Sequence, residues 1–237
     1  MKNSTQKDFV HVVRNAISHE LCNFISTEFR MLEKCVNYMQ PTGGKELGLT
    51  ESFSMYSALF TESLSLHILP IVESYVNKKL FPSYSYGRIY RTGAVLEPHL
   101  DRRSSEYTVS CCLDKEADQD WQLVVKRANG DIEKVSLEVG DILIYPGRDL
   151  NHWRAGKFKG SEQVQAFIQY VDATGSSADL KWDSRPMMGL PWETATIEVR
   201  EGLDYMLNTP KEKITDDHLD AALPTIQEIF NQVKNNE

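Results

Sequence analysis

No stretch of this sequence approaches the roughly 18 consecutive apolar residues of a membrane-spanning helix, so no membrane partner is expected. Cysteine is scarce. There are four, Cys22, Cys35, Cys111 and Cys112, and none lies in a C-x-x-C pair. The expected state is four free thiols in a reducing compartment. Cys111 and Cys112 adjoin in a strand-like run, which would point them to opposite faces. Positive charge is also in deficit. The 26 Lys and Arg against 34 Asp and Glu leave a net charge of −8, so there is no overall electrostatic reason to seek nucleic acid. Arg88, Arg91, Arg102 and Arg103 still lie close together along the chain. Residues 1–8 lack an apolar signal core, so a cytoplasmic location is expected. Repeats, low-complexity tracts and linkers are missing, and a single domain over 1–237 is expected.

What remains is a soluble chain with 41% hydrophobic residues, enough to bury a real core. Its pattern changes twice. Leu21, Ile25, Phe29 and Leu32 recur at helical spacing, with Phe24 widening the face, so a helix capped by Ser18 is predicted to Val36. A second helix is predicted over Phe60–Leu80, kinked or broken at Pro70. From Tyr84 the period becomes two, which puts Tyr84, Tyr86, Arg88 and Tyr90 on one side of a strand. Further strands are expected over Tyr107–Leu113, Trp121–Lys126, Ile132–Val135, Ile142–Tyr145 and Val164–Val171, with a hairpin at Asn129-Gly130. Some six short strands with regular turns predict a sandwich or barrel. Thr215–Val233 reads as a closing helix, interrupted at Pro224. The expected parts are a helical region over about 1–80, a β core over about 81–175 and an extension over about 176–237, in which 172–193 is long for a structureless loop.

Histidine is scarce too. Of His11, His19, His67, His99, His152 and His218, four have ordinary helical or terminal contexts. His99 opens His99-Leu100-Asp101, where residues i and i+2 of an extended stretch share a face. His152 follows Ile142–Tyr145 and the turn Pro146-Gly147, 51 residues beyond Asp101. Two imidazoles and one carboxylate on one face form the facial triad of non-haem Fe(II) oxygenases. It leaves positions for a chelating 2-oxoacid and for O2. Zinc is the rival metal, but the helical H-E-x-x-H of zinc hydrolases is absent.

The stretch Tyr90-x-x-Gly93-x-x-x-Glu97-Pro98-His99-x-Asp101 resembles the pattern of the Fe(II)/2-oxoglutarate-dependent oxygenases, prolyl-4-hydroxylase-like branch. Gly140-Asp141-Ile142-Leu143-Ile144-Tyr145-Pro146-Gly147, then His152-Trp153-Arg154 and Gln163 through Asp172, are similar to a bacterial and phage subgroup of it. The match spans about residues 80–175. It implies an α+β chain with a mainly β core, a double-stranded β-helix (jelly roll, cupin-like), N-terminal helices on one sheet and a C-terminal helix. It implies His99, Asp101 and His152 as iron ligands and catalytic residues, Fe(II), 2-oxoglutarate and O2 as cofactors, and ascorbate as a candidate reductant. The implied reaction is hydroxylation of an unactivated C–H bond of an amino acid, peptidyl residue or small metabolite, with succinate and CO2 released. With Asp101 present, the position that a halide takes in related halogenases is filled. A non-catalytic binding module, or a cupin-like metal enzyme without 2-oxoglutarate, are the alternatives. The wider family places a Lys or Arg on the last strand for the far carboxylate of 2-oxoglutarate, but Ser161, Glu162 and Gln163 stand there. A buried anion needs a charge partner. Arg154 is the first candidate and Arg88 the second, with a hydroxyl from Tyr90 and help from Gln163 or Gln165. Arg102 and Arg103, at the expected mouth, are a substrate grip or a solvated rim. Gly156 and Gly160 bracket a candidate lid.

Overall fold

A computed structural model describes residues 8–39, 52–116 and 120–190. All of these lie in one compact unit, Met1–Ala195. Its elements, in order, are β1 (His11–Val13), α1 (His19–Met39), β2 (Ser52–Tyr56), α2 (Leu59–Val76), β3 (Leu80–Arg91), β4 (Tyr107–Lys115), β5 (Leu123–Lys126), β6 (Ile132–Val135), β7 (Ile142–Tyr145), β8 (His152–Arg154) and β9 (Glu162–Asp172).

The first helix starts where its cap signal stands, with Ser18 Oγ accepting the Leu21 amide at 3.2 Å. Cys22, Ile25 and Phe29 bury its inner face, whereas Phe24, expected to widen that face, is 58% exposed. It lies about 100° around the helix from Ile25 and turns to solvent. The second helix ends at Val76, four residues before the expected Leu80, because Asn77 adopts a left-handed cap with φ 52°. Leu80 instead opens β3. Pro70 is exposed and α2 runs through it.

The strands form a six-stranded sheet in the order β1-β7-β4-β9-β3-β2 and a three-stranded sheet β6-β5-β8. Every described pairing is antiparallel. The protein is therefore mostly β with few helices, consistent with the β-sandwich or jelly-roll form. The six-strand reading missed β1, β2 and β8, two of which have three residues, too few to show a period. The predicted hairpin is present, with Gly130 at φ 95° between β5 and β6.

Period two decides which side chains meet the helices. Val109, Cys111, Ile142, Ile144, Val164, Ala166 and Ile168 pack with Ile25, Phe29 and Ile68 in one core. Cys112, Leu143 and Tyr145 point the other way and pack with Leu123 and Val125 of the small sheet. Cys111 and Cys112 thus face opposite sides, as expected. All four cysteines are free. Gly87 lies under α1, where a Cβ would come within 1.5 Å of Phe29 Cζ. Beyond β9 the chain turns through Ala178–Ser184, and Arg185 forms a buried ion pair with Glu62 of α2 at 3.3 Å. The closing helix expected over 215–233 lies outside the described residues, as does His218. Among the described residues no helix is long and apolar enough to cross a membrane.

Candidate metal centre

The turn after β3 leads into His99-Leu100-Asp101, and His99 pairs with His152 as an isolated antiparallel bridge beside the small sheet. The bridge is closed by His99 N donating to His152 O at 3.1 Å and His152 N donating to His99 O at 3.0 Å. The rings of the two histidines lie 4.3 Å apart. His99, Asp101 and His152 place one ligand atom each within 4.8 Å of one another, a group that could hold a metal ion. Asp101 Oδ1 is 3.7 Å from His99 Nε2 and 3.6 Å from His152 Nε2.

The backbone sets both tautomers. His99 Nδ1 is 2.8 Å from the Glu97 carbonyl, and His152 Nδ1 is 3.0 Å from the Leu150 carbonyl. A carbonyl only accepts, so each Nδ1 carries the proton and each Nε2 turns a lone pair toward Asp101. Such carbonyl contacts orient metal-binding histidines and raise their basicity. Burial pushes the His152 imidazole below its ordinary pKa of 6.5, against the pull of Asp101, which favours the neutral, ligating form. Tyr145 packs edge-on against it at 4.9 Å.

Two residues beyond His152, on the same face of β8, Arg154 enters the space between the sheets. It is 4% exposed. Its Nη1 donates to the Trp121 carbonyl, and its guanidinium lies 5.3 Å from the Trp121 ring centroid. Nε and Nη2 are buried with no hydrogen-bond partner among the described residues. These two nitrogens form one edge of the guanidinium, the fork that matches a carboxylate. Burial lowers the pKa of Arg154, the direction expected of a desolvated cation.

Arg88 and Tyr90 share the inner face of β3, as the alternation predicts. Arg88 lies 5.3 Å and 5.4 Å from the Tyr86 and Tyr90 ring centroids, and its Nη1 donates to Tyr90 Oη at 3.4 Å. Tyr90 sets its ring edge-on to Trp121 at 5.0 Å, which places it beside Arg154. Register aligns Arg88 with Gln165 and Tyr90 with Gln163 on β9. Gln163 Oε1 and Gln165 Nε2 are also buried, with no hydrogen-bond partner among the described residues.

Arg102 and Arg103 are tied into the segment after β9. Arg102 pairs with Asp183 and lies 4.0 Å from the Tyr84 ring centroid, while Arg103 pairs with Asp179 at 3.0 Å. The expected lid is pinned: Phe158 is 1% exposed, its amide donates to Ala94 O at 2.8 Å, and Thr92 Oγ1 donates to Gly160 O at 2.6 Å.

Sequence reasoning missed three residues at the centre. Thr108 Oγ1 donates to Asp101 Oδ2 at 2.7 Å and lies 2.8 Å from the Gln169 side-chain amide. Gly147 packs beneath them, where a Cβ would come within 2.2 Å of both Asp101 Oδ2 and Thr108 Oγ1. The Pro146-Gly147 turn was visible in the sequence, but its place under a carboxylate was not.

No protein-family model matches this sequence, and no curated protein matches it. Its fold is similar to that of HygX from Streptomyces hygroscopicus, crystallised with nickel and 2-oxoglutarate bound (TM-score 0.54, 14% identity, covering 71% of this chain and 84% of that one). It is also similar to AviO1 from Streptomyces viridochromogenes Tue57 (TM-score 0.56, 14% identity, 72% and 92%). A third is SnoN, described as a non-heme alpha ketoglutarate dependent epimerase from nogalamycin biosynthesis (TM-score 0.54, 12% identity, 71% and 78%). At these identities the likeness is one of fold.

Proposed function

We propose that this chain is an Fe(II)- and 2-oxoglutarate-dependent oxygenase whose two sheets form a double-stranded β-helix. The observation that carries the reading is the convergence of His99, Asp101 and His152, with both Nε2 lone pairs left open by carbonyl contacts at the opposite ring nitrogens. Two neutral nitrogens and one carboxylate oxygen are the donor set of an iron facial triad and leave positions for further ligands. The chemistry supplied by bound iron is the activation of O2, with 2-oxoglutarate leaving as succinate and CO2 and a substrate C–H bond oxidised.

The rest is done by the chain's own residues. Carbonyl contacts orient His99 and His152, burial favours the neutral form of His152, and Asp101 supplies the carboxylate. Arg154 offers its unpaired Nε–Nη2 edge to the far carboxylate of 2-oxoglutarate. It stands about 7 Å along β8 from His152, two residues at strand rise, so a short diacid anchored at the triad can reach it. This supports Arg154 ahead of Arg88, and Tyr90 and the two glutamines complete the polar lining. The cation is thus supplied from β8, where the resembling family supplies it from the last strand.

Hydroxylation of an amino acid, peptidyl residue or small metabolite is the proposed outcome, with ascorbate keeping the metal reduced. A HygX structure holds hygromycin B, which favours a small molecule. Because SnoN is described as an epimerase, products should be screened both for added oxygen and for inverted stereocentres. The net charge of −8 disfavours nucleic acid, and the four free thiols suit the cytoplasm.

The test is succinate release from 2-oxoglutarate with Fe(II) and ascorbate, wild type against His99→Ala. The wild type should turn over and the variant should not. Wild-type protein that neither bound nor consumed 2-oxoglutarate would sink the reading and leave the binding-module and 2-oxoglutarate-independent alternatives. Normal turnover in His99→Ala would sink the triad.

A further inference from the structure

Asp101 uses its two oxygens differently. Oδ1 faces both imidazoles, at 3.7 Å and 3.6 Å, while Oδ2 takes the Thr108 hydroxyl at 2.7 Å. A hydroxyl has one proton. Gln169 Oε1, 2.8 Å from the same hydroxyl, is a second acceptor for that proton. The charged carboxylate is the stronger acceptor of the two, so the proton of Thr108 goes to Asp101. The backbone grips the same residue from below: Asp101 N donates to Gly147 O at 3.0 Å. Thr108 and Gln169 face each other across the β4–β9 register, in the middle of the six-stranded sheet.

We propose that Thr108 is a positioning residue that holds Asp101 to one oxygen at the metal and so preserves an open coordination position. The inference rests on the oxygenase reading above. A carboxylate can bind a cation through one oxygen or both. A six-coordinate ion held by three protein atoms has three positions left; a chelating 2-oxoacid takes two and O2 the third. An Asp101 free to bind through both oxygens would fill one of these. While Oδ2 is engaged by a charge-assisted hydrogen bond, that second attachment is opposed.

The experiment is a pair of anaerobic titrations on the whole chain: Fe(II) first, then 2-oxoglutarate followed by the visible charge-transfer absorption of its iron chelate. Thr108→Val should bind Fe(II) as well as wild type or better, and 2-oxoglutarate on the order of tenfold more weakly. Thr108→Ser keeps the hydroxyl and should restore wild-type binding of both. Thr108→Val that weakened iron as much as 2-oxoglutarate, or changed neither, would overturn the proposal. Wild-type protein that bound no iron would overturn the oxygenase reading, and this inference with it.

Discussion

Arg154 carries a positive charge into a space where, among the described residues, a single nitrogen of its guanidinium has a partner. Buried charges of that kind are destabilising unless something completes them. A structural arginine would be satisfied, as Arg185 is by Glu62, Ser83, Trp182 and Leu190. The two roles separate experimentally. Arg154→Met keeps the volume and removes the charge. It should raise the stability of the unliganded protein by about 1–2 kcal/mol, read as a melting temperature a few degrees higher. It should weaken 2-oxoglutarate on the order of a hundredfold, since two hydrogen bonds to a charged group are lost. A variant that melted lower and bound 2-oxoglutarate normally would make Arg154 structural. The triad itself was readable residue by residue, because H-x-D in an extended stretch puts two ligands on one face whatever the fold around it.

At the scale of elements, α1 reaches the sheet because Gly87 lacks a side chain there. A Cβ at Gly87 would overlap the Phe29 ring, with 1.5 Å to Cζ. Gly87→Ala should therefore cost about 1–3 kcal/mol, the usual range for overpacking, measured by denaturant midpoint. Adding Phe29→Leu should recover part of that loss. If the two effects simply add, the helix is not seated on this glycine. The sequence showed both elements, the helix by its 3.6-residue period and β3 by its alternation. It did not show that they meet at this pair, since 58 residues separate them. The short strand β8 was invisible for another reason: three residues, His152 to Arg154, cannot show a period.

The whole molecule depends on contacts that tie the chain's early residues to its centre. The Asp141 carboxylate accepts the amides of Asn15 and Glu138, at 3.0 Å and 2.8 Å, and the Arg14 guanidinium at 2.5 Å. Burial pushes this carboxyl up, but these donors together outweigh it and hold its pKa below the ordinary 3.8. A group depressed in the folded state contributes stability above its unfolded pKa and loses it as pH falls through the folded one. Wild-type stability should therefore fall as pH drops below about 4, and the melting temperature of Asp141→Asn should respond less over that window. The variant should be about 1–2 kcal/mol weaker at neutral pH. Equal pH slopes for the two proteins would remove Asp141 from this role.

Chemistry and much of the local geometry were determined by the sequence: which residues could hold a metal ion, which of the longer runs are helix or strand, and which side chains share a strand face. These follow from residue type and from periods of 3.6 and 2, which need no partner. Tertiary structure alone decided what those faces meet. Thr108 and Gln169 are 61 residues apart and joined by register. Gly147 seats a carboxylate from another segment. The anchor proposed for 2-oxoglutarate is recognised because one edge of Arg154 is buried and unpaired among the described residues. Such facts are relations between distant parts of the chain, and they exist once packing has brought those parts together and excluded water.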